Sequence, residues 1–385
     1  EACRPLRTAP AYDRQKKLGA QFGQVNGWER PNYFGPVGAD ENFDHQSRSF
    51  RRGDWWKYAL AEAKAIRNGV GIIDATAFTK HIVKGPGATR FLDWFTCNKL
   101  PKVGRINLTY ALTDAGTTRT EYTIVRLKQD EFYLVSAGAW TDYDADFLMK
   151  CAEDKSPDFG YIEIQDVTSQ WGVFAVAGPK SRDFLSQLIK DEDQETVLSN
   201  GRFPWLSCKR VELAMCPVNA IRVSYTGELG WELHHPIEMQ NYLFDLLMNA
   251  GAKYELKWVG ARAQNWLRQE KSYRAFGTEL GRDATPLEAD LPRFVDMSKD
   301  FNGKRQMETT GIRSKCVTFL IDGPGDADPW GREALYTEDG IERVGRLTSG
   351  GYSVVFEKSI GMGYVKPGYA IEGTKLKVKI QNALW

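Results

Sequence analysis

The chain has 385 residues, 42% hydrophobic and 26% charged, a balance ordinary for a globular protein and a length that exceeds what one core comfortably fills, so two or three domains are expected. Its 51 basic and 50 acidic side chains nearly cancel and no Lys/Arg block stands out, which argues against nucleic acid as a partner. No apolar run reaches the ~20 residues that cross a bilayer and the N-terminus EACRPLRTAP lacks a signal-peptide core, so a soluble protein without a membrane partner is expected, in the cytoplasm or, in a eukaryote, the mitochondrial matrix.

Residues 1–50 are rich in Arg, Asn, Gly, Pro and aromatics with little periodicity and read as an extended arm whose Trp28, Tyr33, Phe34 and Phe50 need burial against another surface. Residues 55–67 have apolar side chains at helical spacing, with Asp54 as N-cap and Gly69 as the stop, and residues 71–74 begin a sheet. A strand at 81–84 leads through Gly85-Pro86-Gly87 to a short helix at 88–95. Segments 105–112 and 120–127 alternate as strands around the turn chemistry of Thr113-Asp114-Ala115-Gly116, and 132–136 adds a third, giving an antiparallel meander.

A helical pattern at 142–149 and a strand at 161–167 follow. Residues 173–176 then lead through Gly178-Pro179-Lys180-Ser181 into a helix at Asp183. That turn lacks the spacing of a phosphate-binding loop, but it echoes the strand, Gly-Pro turn and helix of 81–95, which suggests two related α+β lobes. The stretch RVSYTGELGWELHH, residues 222–235, reads as a β-hairpin with arms 222–225 and 231–234 around Gly227 and Gly230. Residues 241–250 and 261–270 are amphipathic helices, and residues 296–306 are a plausible boundary. From Gly311 onward, short apolar runs separated by Gly-Pro, Asp-Gly and Gly-Gly turns predict a compact antiparallel β-barrel.

The hairpin places Tyr225 and Glu232 near one mouth. A carboxylate beside an aromatic suits a flat heterocycle with adjacent N–H donors, because its two oxygens accept parallel hydrogen bonds while the ring packs on the aromatic face; a plain cross-strand pair is the alternative. The six cysteines show no C-x-x-C or Cys/His cluster, so no metal and six thiols are expected, although Cys208 and Cys216 are close enough in sequence to suggest a disulfide. His234 and His235 point to opposite faces of a strand and read as surface or core histidines. No nucleophilic Cys or Ser with a partnering His is apparent, so covalent catalysis is not suggested.

YTGELGWE, residues 225–232, resembles the Y-T-G-E-x-G-x-E segment of the glycine cleavage T-protein family of tetrahydrofolate-binding proteins. LRQEKSYRAFG at 267–277, TPLEA at 285–289 and TSGGYS at 348–353 are similar to further family segments, in order and at family spacing. RPLRT at 4–8 and FGQVNGWERPNYF at 22–34 resemble the junction between flavin and folate domains of dimethylglycine and sarcosine dehydrogenases. The resemblance implies an α+β, three-domain cloverleaf: an N-terminal arm at 1–50, a two-lobed tetrahydrofolate-binding domain at 51–300 and a C-terminal β-barrel at 311–385. It also implies that Tyr225 and Glu232 line a pterin pocket to which Phe78 gives an apolar wall, with a core aromatic as the equal alternative for Phe78. Tyr352 lies in a barrel loop that would fold back toward the ligand.

Glu121 stands where the family has an Asp that approaches the folate nitrogens. It is one methylene longer, and the family's second Gly is Thr117 here. The family's Arg near position 264 is Gln264, so Arg268 is the candidate cation for the carboxylates of a folate tail, a surface ion pair being the alternative. Three functions are weighed. The leading one is folate-dependent capture, on N5, of a methyl or methylene group from a small N-methylated amine or other methylated donor, with Glu121 as the catalytic carboxylate. The second is the folate-binding half or subunit of a flavin-dependent dehydrogenase that forms 5,10-methylenetetrahydrofolate, with FAD on a separate or missing domain and a flavoprotein as partner. The third is a non-catalytic scaffold.

Overall fold

The computed structural model describes residues 3–39, 50–190 and 194–385; part of the expected arm, 40–49, lies outside the described residues. The alternating segments Ile106–Leu112, Thr118–Lys128 and Glu131–Ser136 pair as the expected meander, and Thr79–Lys84 and Glu163–Asp166 extend it to a five-stranded antiparallel sheet. Helices Ala88–Phe95 and Thr141–Phe159 close its apolar face over Val83, Phe91, Phe95, Tyr122, Phe132 and Leu134.

The second lobe is a six-stranded sheet assembled from distant segments. Gly71–Asp74 does not join the meander that follows it in sequence. It pairs antiparallel with Trp171–Ala177 and parallel with the short Lys257–Trp258. Trp171–Ala177 pairs on its other side with Gly230–Pro236, followed by Cys216–Ile221 and Cys208–Leu213. Phe174, Phe184, Trp231 and Leu243, all fully buried, anchor its core, each large apolar side chain contributing about 1.5–3 kcal/mol relative to exposure. The echo between the lobes is realised, since Trp171–Ala177 runs through its Gly-Pro turn into the helix Ser181–Ser186 as Thr79–Lys84 does into Ala88–Phe95.

Two expectations change. The hairpin partner of Gly230–Pro236 is Cys216–Ile221, with Ile221 opposite Glu232, so residues 222–229 form a loop and not a strand arm. The ladder ends there because the Val223 N–H turns back to the Ile221 carbonyl, and the Arg222 side chain is drawn away to the Phe203 carbonyl and Asn200. The arm, in turn, is not extended. It holds a short helix, Tyr12–Lys17, and a hairpin of Ala20–Val25 with Trp28–Phe34. Asn26 and Gly27 both take left-handed backbone, φ 45° and 81°, the geometry that an Asn-Gly pair gives to a two-residue hairpin turn. Trp28 and Tyr33 are 4% and 0% exposed and find the burial expected of them, Phe34 is half-buried, and Phe50, 76% exposed, does not.

The C-terminal part is a six-stranded antiparallel sheet in the order Lys315–Ile321, Lys358–Val365, Arg343–Ser353, Ala334–Thr337, Leu376–Ile380 and Ala383–Leu384, around its own core of Ile321, Leu335, Val344, Leu347, Val365, Val378 and Ile380. The preceding segment does not hang free: helix Lys304–Thr310 inserts Met307 beside Tyr110 and Leu112 of the first lobe. Helix Ala261–Glu270 lies between the second lobe and this sheet. At Gly351 a Cβ would come within 2.3 Å of Trp266, so only glycine lets strand and helix pack this closely.

Candidate functional site

Glu121 lies on strand Thr118–Lys128 directly opposite Tyr110 in the antiparallel register. Burial pushes its carboxyl up to about 7; the positive Arg268 and a hydrogen bond with the Tyr110 side chain oppose the rise, and Glu279 adds to it. Tyr225, on the 222–229 loop, faces the same groups. Burial raises its phenol above the ordinary range, with Arg268 and Arg30 opposing and Glu121 and Glu279 reinforcing. Its hydroxyl donates to the Arg274 carbonyl at 2.7 Å and its ring stacks on Tyr273, centroids 6.1 Å apart at 23°. Two predicted site residues, 104 positions apart in sequence, thus share one electrostatic neighbourhood. A carboxyl that titrates near neutrality is suited to exchanging protons at physiological pH.

Glu232 is held by a different set. Its side chain is 13% exposed, and Oε2 lies 3.1 Å from His234 Nε2, two residues along the strand and therefore on the same face. His234 is buried, and burial keeps its imidazole neutral despite Glu232. The Tyr133 hydroxyl is 2.9 Å from His234 Nδ1. A neutral ring carries one N–H, so Nε2–H donates to Glu232 and Nδ1 accepts from Tyr133. Glu232 Oε1 has no hydrogen-bond partner among the described residues. Phe78, half-buried, shares an apolar cluster with Tyr133, Ile221 and Val223, and Ile221 is the cross-strand neighbour of Glu232. Ile221, opposite Glu232, and Tyr225, an electrostatic neighbour of Glu121, are four residues apart in sequence.

Arg268 is not at a pocket mouth. It is 2% exposed, and its guanidinium donates to Asn265 Oδ1 at 2.9 Å, the Tyr273 carbonyl at 2.8 Å, Glu279 Oε2 at 2.8 Å and Ser349 Oγ at 2.6 Å, which occupies four of its five N–H groups. Glu279 also accepts from the Ala275 N–H at 3.0 Å, Thr278 at 2.8 Å, Thr348 at 2.7 Å and Ser349 at 2.5 Å. Burial alone would raise the Glu279 carboxyl, but Arg268, Ser349 and Thr348 hold it below its ordinary value. Arg268 therefore serves as a fixed buried charge near Glu121 that ties its helix to the C-terminal sheet.

Tyr352 lies elsewhere. Its ring packs on Trp56 and Trp266, centroids 5.0 and 6.0 Å away, under the Arg52 guanidinium. Trp266 and Arg268 are two positions apart on a helix, about 200° around its axis, so Tyr352 is on the face opposite the Glu121 neighbourhood. On that side opens a pocket of about 110 Å³ lined in part by Trp55, Arg262, Trp266, Asp328 and Trp330. None of Phe78, Glu121, Tyr225 or Glu232 lines it, and its carboxylate Asp328 is engaged by Arg52.

Three neighbours escaped the sequence reading. Tyr110 was not legible, since counting outward from the Thr113–Gly116 turn sets it opposite Thr120, and only a register shift between Ala111 and Leu112 brings it opposite Glu121. Glu279 carried no motif. Arg30, on strand Trp28–Phe34, donates to Gln264 Oε1 at 2.5 Å; burial weakens its hold on its proton while Asp74 and Tyr225 strengthen it, and only packing could bring this arm residue to the centre. Among the described residues no His/Cys/Asp/Glu group could hold a metal ion, and no helix is long and apolar enough to cross a membrane. Cys208 and Cys216 sit at opposite ends of paired strands, opposite Ile221 and Leu213 respectively, too far apart to bridge; burial pushes both thiols up to about 12.

Two family models match the chain: the GCVT N-terminal domain over residues 11–299 and the glycine cleavage T-protein C-terminal barrel domain over residues 315–384. The mitochondrial dimethylglycine dehydrogenase of Mus musculus is 35% identical over 98% of this chain and 43% of its own length. An aminomethyltransferase of Caldanaerobacter subterraneus is 28% identical over 98% of this chain and 92% of its own. The solved structure of glycine cleavage system aminomethyltransferase T from Bartonella henselae has the same fold, with a TM-score of 0.80 at 23% identity over 98% of this chain and 95% of that one. The chain spans less than half the length of the dimethylglycine dehydrogenases it matches.

Proposed function

This chain belongs to the glycine cleavage T-protein family, and on that premise we propose that it is an aminomethyltransferase-like enzyme that transfers a one-carbon group from a small N-methylated donor to tetrahydrofolate. The observation that carries this reading is the convergence of Glu121, Tyr225 and Arg268 around a carboxyl raised to about 7, one loop away from a glutamate with an unengaged oxygen. The residues suit a reduced pterin. Glu232 offers Oε1 to a ring N–H and retains a lone pair on Oε2 for a second, and Phe78 and Tyr225 give the ring apolar and aromatic surfaces. When bound, tetrahydrofolate supplies the nucleophilic nitrogen that accepts the one-carbon group.

The protein's own work is then positioning and proton handling. Glu232, held in place by the His234–Tyr133 chain, orients the pterin edge. Glu121 takes up or returns the proton that accompanies transfer, and its carboxylate form stabilises positive charge on the donor nitrogen. Arg268 limits how far burial raises the Glu121 carboxyl. Calorimetric titration with tetrahydrofolate, with and without chelator, tests the reading. Binding that is indifferent to chelator is expected, whereas no heat and no thermal shift at millimolar folate would leave the scaffold alternative.

A second reading is favoured by the match of nearly the whole chain to dimethylglycine dehydrogenases much longer than itself. Here the chain acts as the folate-binding half of a flavin-dependent N-methyl-amine dehydrogenase, with FAD held outside these 385 residues, and traps formaldehyde or an iminium formed there. A flavoprotein that co-purifies in stoichiometric amount supports it. Turnover of a methylated donor with folate by this chain alone supports the first.

A further inference from the structure

We infer that Asp144, in the first turn of helix Thr141–Phe159, is the residue that positions Glu121: by holding Thr120 it pins the β-bulge that sets Glu121 opposite Tyr110. Strands Ile106–Leu112 and Thr118–Lys128 pair Leu112 with Thr118 and Ala111 with Thr120, which leaves Arg119 without a partner and sets Tyr110 opposite Glu121. In an unbroken ladder running on from Leu112 and Thr118, Tyr110 would face Thr120 and Glu121 would face Thr109. A bulge can sit at different points along a strand pair, and its place decides which side chains share a face beyond it. The meeting of Glu121 with Tyr110 therefore requires the extra residue to stay ahead of Glu121.

Both residues of the bulge are held from the helix. The Thr120 hydroxyl donates to Asp144 Oδ1 at 2.6 Å, the carboxylate being a stronger acceptor than the Arg119 carbonyl 2.7 Å away. Arg119 Nη2 donates to the Tyr143 carbonyl at 2.8 Å, its guanidinium lies over the Tyr143 ring, and its Nη1 is 3.8 Å from Asp144 Oδ1. The start of the helix is itself fixed to the sheet, since the Thr141 hydroxyl meets that of Thr79 at 2.6 Å. Asp144 thus works from a rigid post.

Stability alone does not call for a carboxylate here. Asp144 is 0% exposed, and its Oδ2, like Arg119 Nη1, makes no hydrogen bond among the described residues, an arrangement less favourable than apolar packing of similar volume. A buried polar contact that selects one register over its neighbours accounts for it. The importance of that register rests on the proposed role of Glu121. Of the groups around Glu121, Tyr110 and Arg268 hold its carboxyl down and Glu279 pushes it up, while Tyr225, its own phenol raised by burial, stays protonated.

Carbon-13 NMR of the full chain labelled at its glutamate carboxyls, with Glu121→Gln to identify the resonance, follows the Glu121 titration without folate or turnover. Asp144→Ala and Thr120→Val should each move its midpoint upward, because Glu121 loses its place opposite Tyr110. Each should also slow single-turnover transfer roughly 10- to 100-fold while tetrahydrofolate affinity stays within about twofold. Asp144→Asn, which keeps an oxygen for the Thr120 hydroxyl, should lie near wild type, and Thr120→Val combined with Asp144→Ala should be no worse than either alone. Thermal melts report the fold, and Thr120→Val, which removes only the hydroxyl's hydrogen bond, decides alone if Asp144→Ala does not fold. An unmoved midpoint in Thr120→Val overturns the inference, as does Asp144→Asn impaired as much as Asp144→Ala, since charge and not the bond would then matter. A midpoint that moves while transfer keeps its wild-type rate supports Asp144 as the positioner and sinks the role proposed for Glu121. Transfer lost in Glu121→Gln, with the midpoint unmoved in the Asp144 and Thr120 variants, does the reverse.

Discussion

Glu121 is a carboxyl whose proton affinity is set by what surrounds it, and two predictions follow from its rise from 4.5 to about 7. The folded protein keeps a proton there that the unfolded chain releases across this interval. Its contribution to stability is therefore full below the unfolded value and is lost as pH rises through about 7. Glu121→Gln, which cannot ionise, should be more stable than wild type at pH 8 and no more stable near pH 4.5, as read from urea midpoints at both values. In the proposed role the ionised form acts, so kcat/KM should climb with pH to a plateau above about 7. Glu121→Gln should lose that limb and slow single-turnover transfer by about 10²–10⁴-fold while changing folate affinity little. Glu232 should behave oppositely. In Glu232→Gln one acceptor becomes a donor facing donors, a mismatch of about 1–3 kcal/mol, so folate affinity should fall roughly tenfold to a few hundredfold. Unchanged affinity in a direct titration would make the Glu232 strand purely structural.

Helix Ala261–Glu270 has two different faces. Trp266 packs on the C-terminal sheet through Gly351, while Arg268 holds Glu279, Ser349 and the field at Glu121. Replacing Arg268 by Met leaves Glu279 buried and uncompensated, which should cost about 3–5 kcal/mol, measurable as a drop in the urea midpoint. The same variant removes a charge that lowers the Glu121 carboxyl, so the pH limb of kcat/KM should move upward. A stable variant with an unmoved limb would show that Arg268 ties elements together without acting on Glu121.

Across the whole molecule, the proposed site draws on several parts: Glu121 from the first lobe, Tyr225 and Glu232 from the second, and Ser349 from the C-terminal sheet by way of Arg268, with the hairpin packed against the same helix through Arg30 and Gln264. The hairpin is an integral part of this assembly. Glu62 accepts the Phe34 N–H at 2.6 Å and the Gly260 N–H at 2.8 Å, tying the hairpin to the start of helix Ala261–Glu270, and Tyr33 packs with Trp55, Ile66 and Leu267. A chain that begins after Phe34 forfeits the burial of Trp28 and Tyr33, about 1.5–3 kcal/mol each, and leaves Glu62 without one of its two N–H donors. Its thermal midpoint should fall well below that of the full chain, and an unchanged midpoint would show the hairpin to be a passive cover.

By itself the sequence determined what is local or carried by motif. Short-range periodicity and turn chemistry located helices Ala88–Phe95 and Ala261–Glu270, the meander and the strand-rich C-terminal part, and the spaced segments from YTGELGWE to TSGGYS identified the family. Tertiary structure decided what depends on contacts between distant residues. It moved Gly71–Asp74 into a sheet with Trp171–Ala177, a pairing across about a hundred residues that no local pattern encodes. It ended the strand at Ile221 by hydrogen bonds to residues near 200, and it turned Arg268 inward and left Tyr352 packed on Trp266, because positions two apart on a helix face nearly opposite sides. Proton affinities at the centre also lay beyond the sequence, because desolvation and charge depend on which side chains surround a carboxyl and not on which residues flank it in the chain.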